Sequence, residues 1–143
     1  MAIERAIETS RNWYETARIT TAAGIYSQAF YSLEMSAEIA LKAVLISLHV
    51  EVPKVHDIRK IARMYLAGNK SVPQTFLGKL DEILEIFESL LRMRSMIGYG
   101  FEGILDKEDL RKQLDILLPQ CSDLVEQCEI AIQYLERKGK KSN

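Results

Sequence analysis

Residues 26–57 read YSQAFYSLEMSAEIALKAVLISLHVEVPKVHD, and their spacing decides the class of the chain. Ile25, Ala29, Phe30, Leu33, Ala37, Ala40, Leu41, Val44, Leu45 and Leu48 recur at three- and four-residue intervals. Such spacing predicts a helix of about six turns with a broad buried stripe. Glu34, Glu38 and Lys42 follow one another at intervals of four, so Glu38 and Lys42 can pair on one face. The helix should end near Val50, where Pro53 forces the chain into a turn that closes on His56 and Asp57.

Outward from this helix the rest of the chain is helical as well, with no alternating strand pattern and no Asn-Gly hairpin signal. A first helix is expected from about Ile3 to Thr20, burying Ile3, Ala6, Ile7, Trp13, Tyr14 and Ala17, with a turn over Thr20–Gly24. Asp57 is placed to cap a third helix carrying Ile58, Ile61, Ala62, Tyr65 and Leu66. A fourth should begin at Pro73 or Gln74 and end by Gly98, with Phe76, Leu80, Leu84, Phe87 and Leu91 on one seam and Ile83 and Leu90 beside it. The last starts at Asp106, carries the stripe Leu110, Leu114, Leu117, Cys121, Leu124, Cys128, Ala131, Leu135, and should kink at Pro119. The expectation is an all-α, up-and-down bundle of about five helices, a single domain over residues 1–138 with a frayed tail over 139–143.

The 143 residues are enough for one domain that needs neither disulfide nor metal to fold. Cys121 and Cys128, two turns apart on one apolar face, read as small core residues. Nineteen Lys and Arg against twenty Asp and Glu provide no global basic field for nucleic acid, so any phosphate recognition must be local. Ala43–Val50, the longest charge-free apolar run, is too short for a bilayer, and the N-terminus has no leader pattern. A cytoplasmic protein without membrane association is expected.

The sequence offers few groups for chemistry. On the fourth helix, continuing the seam Leu80, Leu84, Phe87, Leu91 by three reaches Arg94, a guanidinium where the pattern reserves an apolar side chain. Either its stem covers the end of the core with the head in water, or it must find an acceptor, because a buried unpaired charge is costly. Arg92 lies off the seam and reads as a solvated flank. His49 reads as a helix-terminal or surface residue. His56 and Asp57 read as a turn and cap, with ligand binding the alternative. From Val52 to Lys79, the basic Lys54, Arg59, Lys60, Arg63, Lys70 and Lys79 face one acid, Asp57. That patch could meet RNA, a nucleotide or an acidic surface, or be neutralised by the acids Asp81, Glu82, Glu85 and Glu88 that follow. No Glu-x-x-His, Cys-x-x-Cys, phosphate-binding Gly-Lys loop or nucleophile elbow occurs, so neither a metal nor a cofactor is expected.

The word order of residues 26–57 resembles the central helix and following turn of HEPN domains: an aromatic start, Ala-Glu-x-Ala-Leu-Lys-Ala, Leu-Ile-Ser-Leu, Pro, then His-Asp-Ile. Glu38, Lys42, His56 and Asp57 fall on the family's pattern. The resemblance implies a homodimer that brings the fourth helices together. It also implies nucleotide or RNA binding, and partnership with a minimal nucleotidyltransferase in a toxin-antitoxin-like pair. Catalytic HEPN proteins carry an Arg, four to six residues, then a His at this helix end; Arg holds phosphate and His serves the attacking 2'-hydroxyl. Here Arg92 and Arg94 precede Tyr99 by those intervals, and Tyr99 stands where the His would be. A phenol is a poor base at neutral pH but can donate a hydrogen bond to phosphate. The expectation is therefore a binding protein using Arg92, Arg94, Tyr99, Lys54, Arg59 and Arg63. The alternatives are a metal-independent endoribonuclease using Arg94 and Tyr99, and a noncatalytic dimerisation or scaffold module.

Overall fold

The computed structural model describes residues 2–98 and 105–142; Tyr99 and the glycines at 100 and 103 lie outside them. Among the described residues there are six helices and no strand: α1 (Ala2–Ala22), α2 (Tyr26–Ser47), α3 (Arg59–Leu66), α4 (Gln74–Gly78), α5 (Leu80–Gly98) and α6 (Lys107–Ser142). The chain is an all-α bundle in which α1, α2, α5 and α6 alternate in direction, while α3 and α4 form the crossover from α2 to α5.

The expected fourth helix is two. Phe76 and Lys79 close a tight turn (Lys79 N–H to Phe76 C=O, 3.0 Å), and the Lys79 carbonyl then accepts from Ile83 at 2.8 Å. Gly78 ends α4 where a residue without Cβ weakens helix propagation. Asp57 also departs from expectation. Ile58 holds the N-cap position, and the Asp57 carboxylate sits one residue earlier, accepting from the Arg59 N–H at 3.2 Å and from its guanidinium. Asp106 does cap α6, taking the Glu108 N–H at 3.0 Å. α6 continues through Pro119 and Gly139 to Ser142. No helix among the described residues is long and apolar enough to cross a membrane.

α2 is the centre of the bundle, buried on several sides at once. Its small residues make this workable: Ala29, Ala37, Ala40 and Ala43 are all fully covered, so neighbouring backbones come close while Phe30, Leu33, Leu41 and Leu45 fill the spaces between. α1 and α2 are locked by two buried serines that serve each other. Ser10 Oγ donates to the Ser36 carbonyl at 2.7 Å, and Ser36 Oγ donates to the Ser10 carbonyl at 2.8 Å. Phe76, Phe87 and Leu90 pack from the α4–α5 side, and Leu114, Cys121, Leu124 and Cys128 from α6. The two thiols are fully buried and unbridged, and burial pushes the Cys121 thiol up to about 12. Ile25 and Tyr65, expected inside, are 49% and 44% exposed.

The end of α2 aims the segment that follows. His49 sits at φ 63°, its N–H bonded to Ile46 C=O and that of Val50 to Leu45 C=O. This is a Schellman turn with histidine in the left-handed position usually held by glycine. The chain reverses there and lays Val52–Asp57 back along α2, which brings His56 beside Glu38.

Candidate functional site

The two charged residues that interrupt apolar faces meet. Arg94 of α5 donates from Nη1 to Glu34 of α2, a carboxylate that is 0% exposed. The same guanidinium lies over the Tyr31 ring, 4.4 Å from its centroid, an attraction of cation and ring face. Its Nη1 and Nη2 approach His56 Nδ1 and Nε2 at 3.4 and 3.5 Å, so Arg94 is held between Tyr31 and His56. Trp13 of α1 meets the far side of Tyr31 edge-on, with centroids 5.7 Å apart.

One turn along α2, Glu38 joins the cluster. It accepts from Lys42 Nζ at 2.9 Å and lies 2.9 Å from His56 Nδ1. With a carboxylate as partner, Nδ1 carries the proton, which leaves the Nε2 lone pair toward Arg94 Nη2. His56 itself is 60% exposed, so the imidazole lies on the solvent side of the buried Glu34 and Glu38.

Two carboxyls so close cannot both be charged at low cost. Burial, then the hydrogen bond and charge of Glu38, push the Glu34 carboxyl up to about 8, against the lowering pull of Arg94. Glu38 moves the other way: its bonds to Glu34, Lys42 and His56 outweigh its own burial and hold it below the ordinary value. The pair therefore shares one proton, with Glu38 the carboxylate and Glu34 the acid near neutral pH. Arg94 remains bonded to the Glu34 oxygen that this proton leaves open, so the observed contact and the raised pKa are compatible. Glu34 Oε1 has no hydrogen-bond partner of the ordinary kind. Glu34, Glu38 and His56 also each offer a ligand atom, all within 4.8 Å of one another.

The basic patch behaves differently. Arg59 is bound by Asp57 at 2.9 Å and Glu88 at 3.3 Å, and Arg63 by Asp81 at 2.8 Å. Arg59, Arg63 and Glu88, together with Lys60, Leu84 and Glu85, line a cleft of about 310 Å³ between α3 and α5 that carries both signs of charge. Lys54 is exposed in the α2–α3 connection, and Arg92 is exposed on α5. A larger cleft of about 520 Å³ lies between α1 and α6 and involves none of these residues.

Of the residues singled out from the sequence, the fold thus joins Glu38, Lys42, His56 and Arg94 and leaves Arg92 and Lys54 apart from them. It adds Tyr31, and Glu34, which the sequence reading noted only for its spacing from Glu38 and gave no role. A signal was present: Glu34 falls four after Phe30 and three before Ala37, so it breaks the apolar face of α2 as Arg94 breaks that of α5. Opposite charges on two buried faces call for each other.

An all-helical bundle organised on a central α2, with a His-Asp turn folded back on it, defines the class. A model of the HEPN domain family matches residues 3–137, and the chain belongs to that family. No curated protein and no solved structure matches it. Family membership supports a role connected with nucleotides or RNA.

Proposed function

We propose that this HEPN protein binds the phosphate of a nucleotide or of RNA at the corner formed by Arg94 and His56. The supporting observation is their juxtaposition: residues 38 apart in sequence place a guanidinium against an exposed imidazole. Arg94 is oriented by Glu34 and Tyr31 before any ligand arrives, so little side-chain freedom is lost on binding. A phosphate can then take the outward N–H groups of the guanidinium together with His56. Arg92, exposed on α5, and Tyr99, which lies outside the described residues, are the residues proposed to add to this corner, with Lys54, Arg59 and Arg63 as an outer approach. The proposed setting is a cytoplasmic homodimer whose α5 helices meet, working beside a minimal nucleotidyltransferase in a toxin-antitoxin-like pair.

The same juxtaposition favours one second reading, a metal-independent endoribonuclease. Tyr99 stands in sequence where catalytic relatives carry histidine, but His56 supplies an imidazole beside Arg94 from another segment. Glu38 holds its Nδ1 and leaves a lone pair on Nε2, 3.5 Å from Arg94 Nη2, to take a proton from a 2'-hydroxyl once the guanidinium turns to the phosphate.

Fluorescence anisotropy with labelled single-stranded RNA and thermal shift with ATP test the first reading. Binding that weakens tenfold or more in Arg94→Gln sustains it, and no response to either ligand overturns it. Cleavage of the RNA in the presence of chelator, lost in His56→Ala, would establish the second. Intact RNA under those conditions leaves binding alone.

A further inference from the structure

We propose that Glu34, Glu38 and His56 form a site for a divalent transition-metal ion of the zinc class. This goes beyond the phosphate reading and is independent of it. Three observations carry it. The donor set is two carboxylates and an imidazole, which suits zinc and its neighbours better than a purely oxygen-loving ion. The three ligand atoms lie within 4.8 Å of one another, whereas ligands on one zinc ion stand roughly 3–3.5 Å apart given metal–ligand bonds of about 2 Å. His56, which is 60% exposed, is the ligand with the most room to rotate as an ion enters.

The third observation is the buried Glu34 Oε1, which has no hydrogen-bond partner of the ordinary kind. In the metal-free protein the proton shared with Glu38 serves that oxygen, and an entering cation takes the proton's place. Glu34 and Glu38 are also four apart on one rigid helix, so their spacing needs no ordering when an ion enters. His56 is the exposed member of the three, so an ion would reach the site from its side.

Charge dictates what else must move. Glu34 and Glu38 are already faced by Arg94 and Lys42, so an entering dication brings excess positive charge. Arg94 Nη1, beside both Glu34 and His56 Nδ1, occupies the space nearest the ion and must turn outward. Arg94 and the metal are therefore competitors for one carboxylate cradle. A His56 engaged by metal is also withdrawn from proton transfer, so the metal-loaded form would not be the one that cleaves RNA.

Chelator-treated protein titrated with Co²⁺, followed by visible absorption and then displaced with Zn²⁺, tests the site without RNA or nucleotide. The expected result is a saturable, one-equivalent signal that Zn²⁺ removes. His56→Ala changes an exposed loop side chain and should fold normally, yet weaken Co²⁺ binding by at least about tenfold. Arg94→Met should bind Co²⁺ more tightly, because the competing guanidinium is gone. A wild-type protein with no saturable signal, or a His56→Ala protein that binds equally well, overturns the proposal. So does an Arg94→Met protein that folds, as judged by circular dichroism, but binds more weakly than wild type. Failure of RNA or ATP binding would leave these readouts unchanged, so the two readings fail separately.

Discussion

Two groups of charged side chains flank α5, and they are built from similar residues to opposite effect. On one side Arg94 meets Glu34 inside the bundle, beside Glu38, Lys42 and His56. On the other, Arg59 and Arg63 meet Asp57, Glu88 and Asp81 on the surface. The surface pairs cost little to form and contribute little, because water solvates each charge whether or not it is paired. The buried pair sits where an unpaired charge would be expensive, so each member depends on the other. The buried group can therefore hold a strained proton balance and a poised guanidinium, while the surface group cannot.

The most severe way to break this contrast is Arg94→Met. Removing the guanidinium should destabilise the fold by about 3 kcal/mol at pH 9, where Glu34 would be left charged and buried. At pH 6 the loss should be clearly smaller, because Glu34 already holds a proton there. Urea unfolding at the two pH values measures both, and equal losses would show that Glu34 is not linked to a proton.

Glu34→Gln sharpens the same point from the other partner. The Glu34 carboxyl is raised from 4.5 to about 8 in the folded state, so the folded protein holds a proton that the unfolded chain releases. Its contribution to stability is full below pH 4.5 and is lost as pH rises through about 8. The groups facing it are Glu38 on its own helix, Arg94 on α5 and His56 on the returning loop. Wild-type stability should fall across that window, and the glutamine variant should flatten the fall. A slope unchanged in the variant would assign the proton elsewhere.

A smaller effect is expected for Lys42→Met. Lys42 is only partly buried and bonds Glu38 at 2.9 Å, and His56 remains to serve that carboxylate, so a loss of about 1 kcal/mol is expected in thermal unfolding. Arg63→Ala should change stability by no more than about 0.5 kcal/mol, and raising the salt concentration should erase even that. An Arg63 variant as damaging as Arg94→Met would abolish the distinction between the two groups.

Much of the bundle was legible beforehand because helix periodicity is local. The seam Phe76, Leu80, Leu84, Phe87 and the stripe Leu110 to Ala131 are buried as their spacing predicts. Errors fell where local signals were ambiguous. Lys79 breaks a helix that apolar spacing alone would carry through, and Ile25 is apolar but sits outside the packed face. The cluster was legible in pieces. Arg94 was anomalous on its seam, and His56 stood in a turn, yet nothing local connected them.

By itself, the sequence determined that the chain is all helix, which stripes form most of the core, and that one arginine on α5 interrupts an apolar seam and has either water or a buried acceptor to go to. It also carried the words that place the chain among HEPN domains. The tertiary structure alone decided that the acceptor is Glu34, 60 residues away, and that His56 closes over the pair. The physical reason is that periodicity is fixed by the geometry of one helix. Which charges meet is fixed by how α2 and α5 cross and by the left-handed turn at His49 that sends the loop back between them.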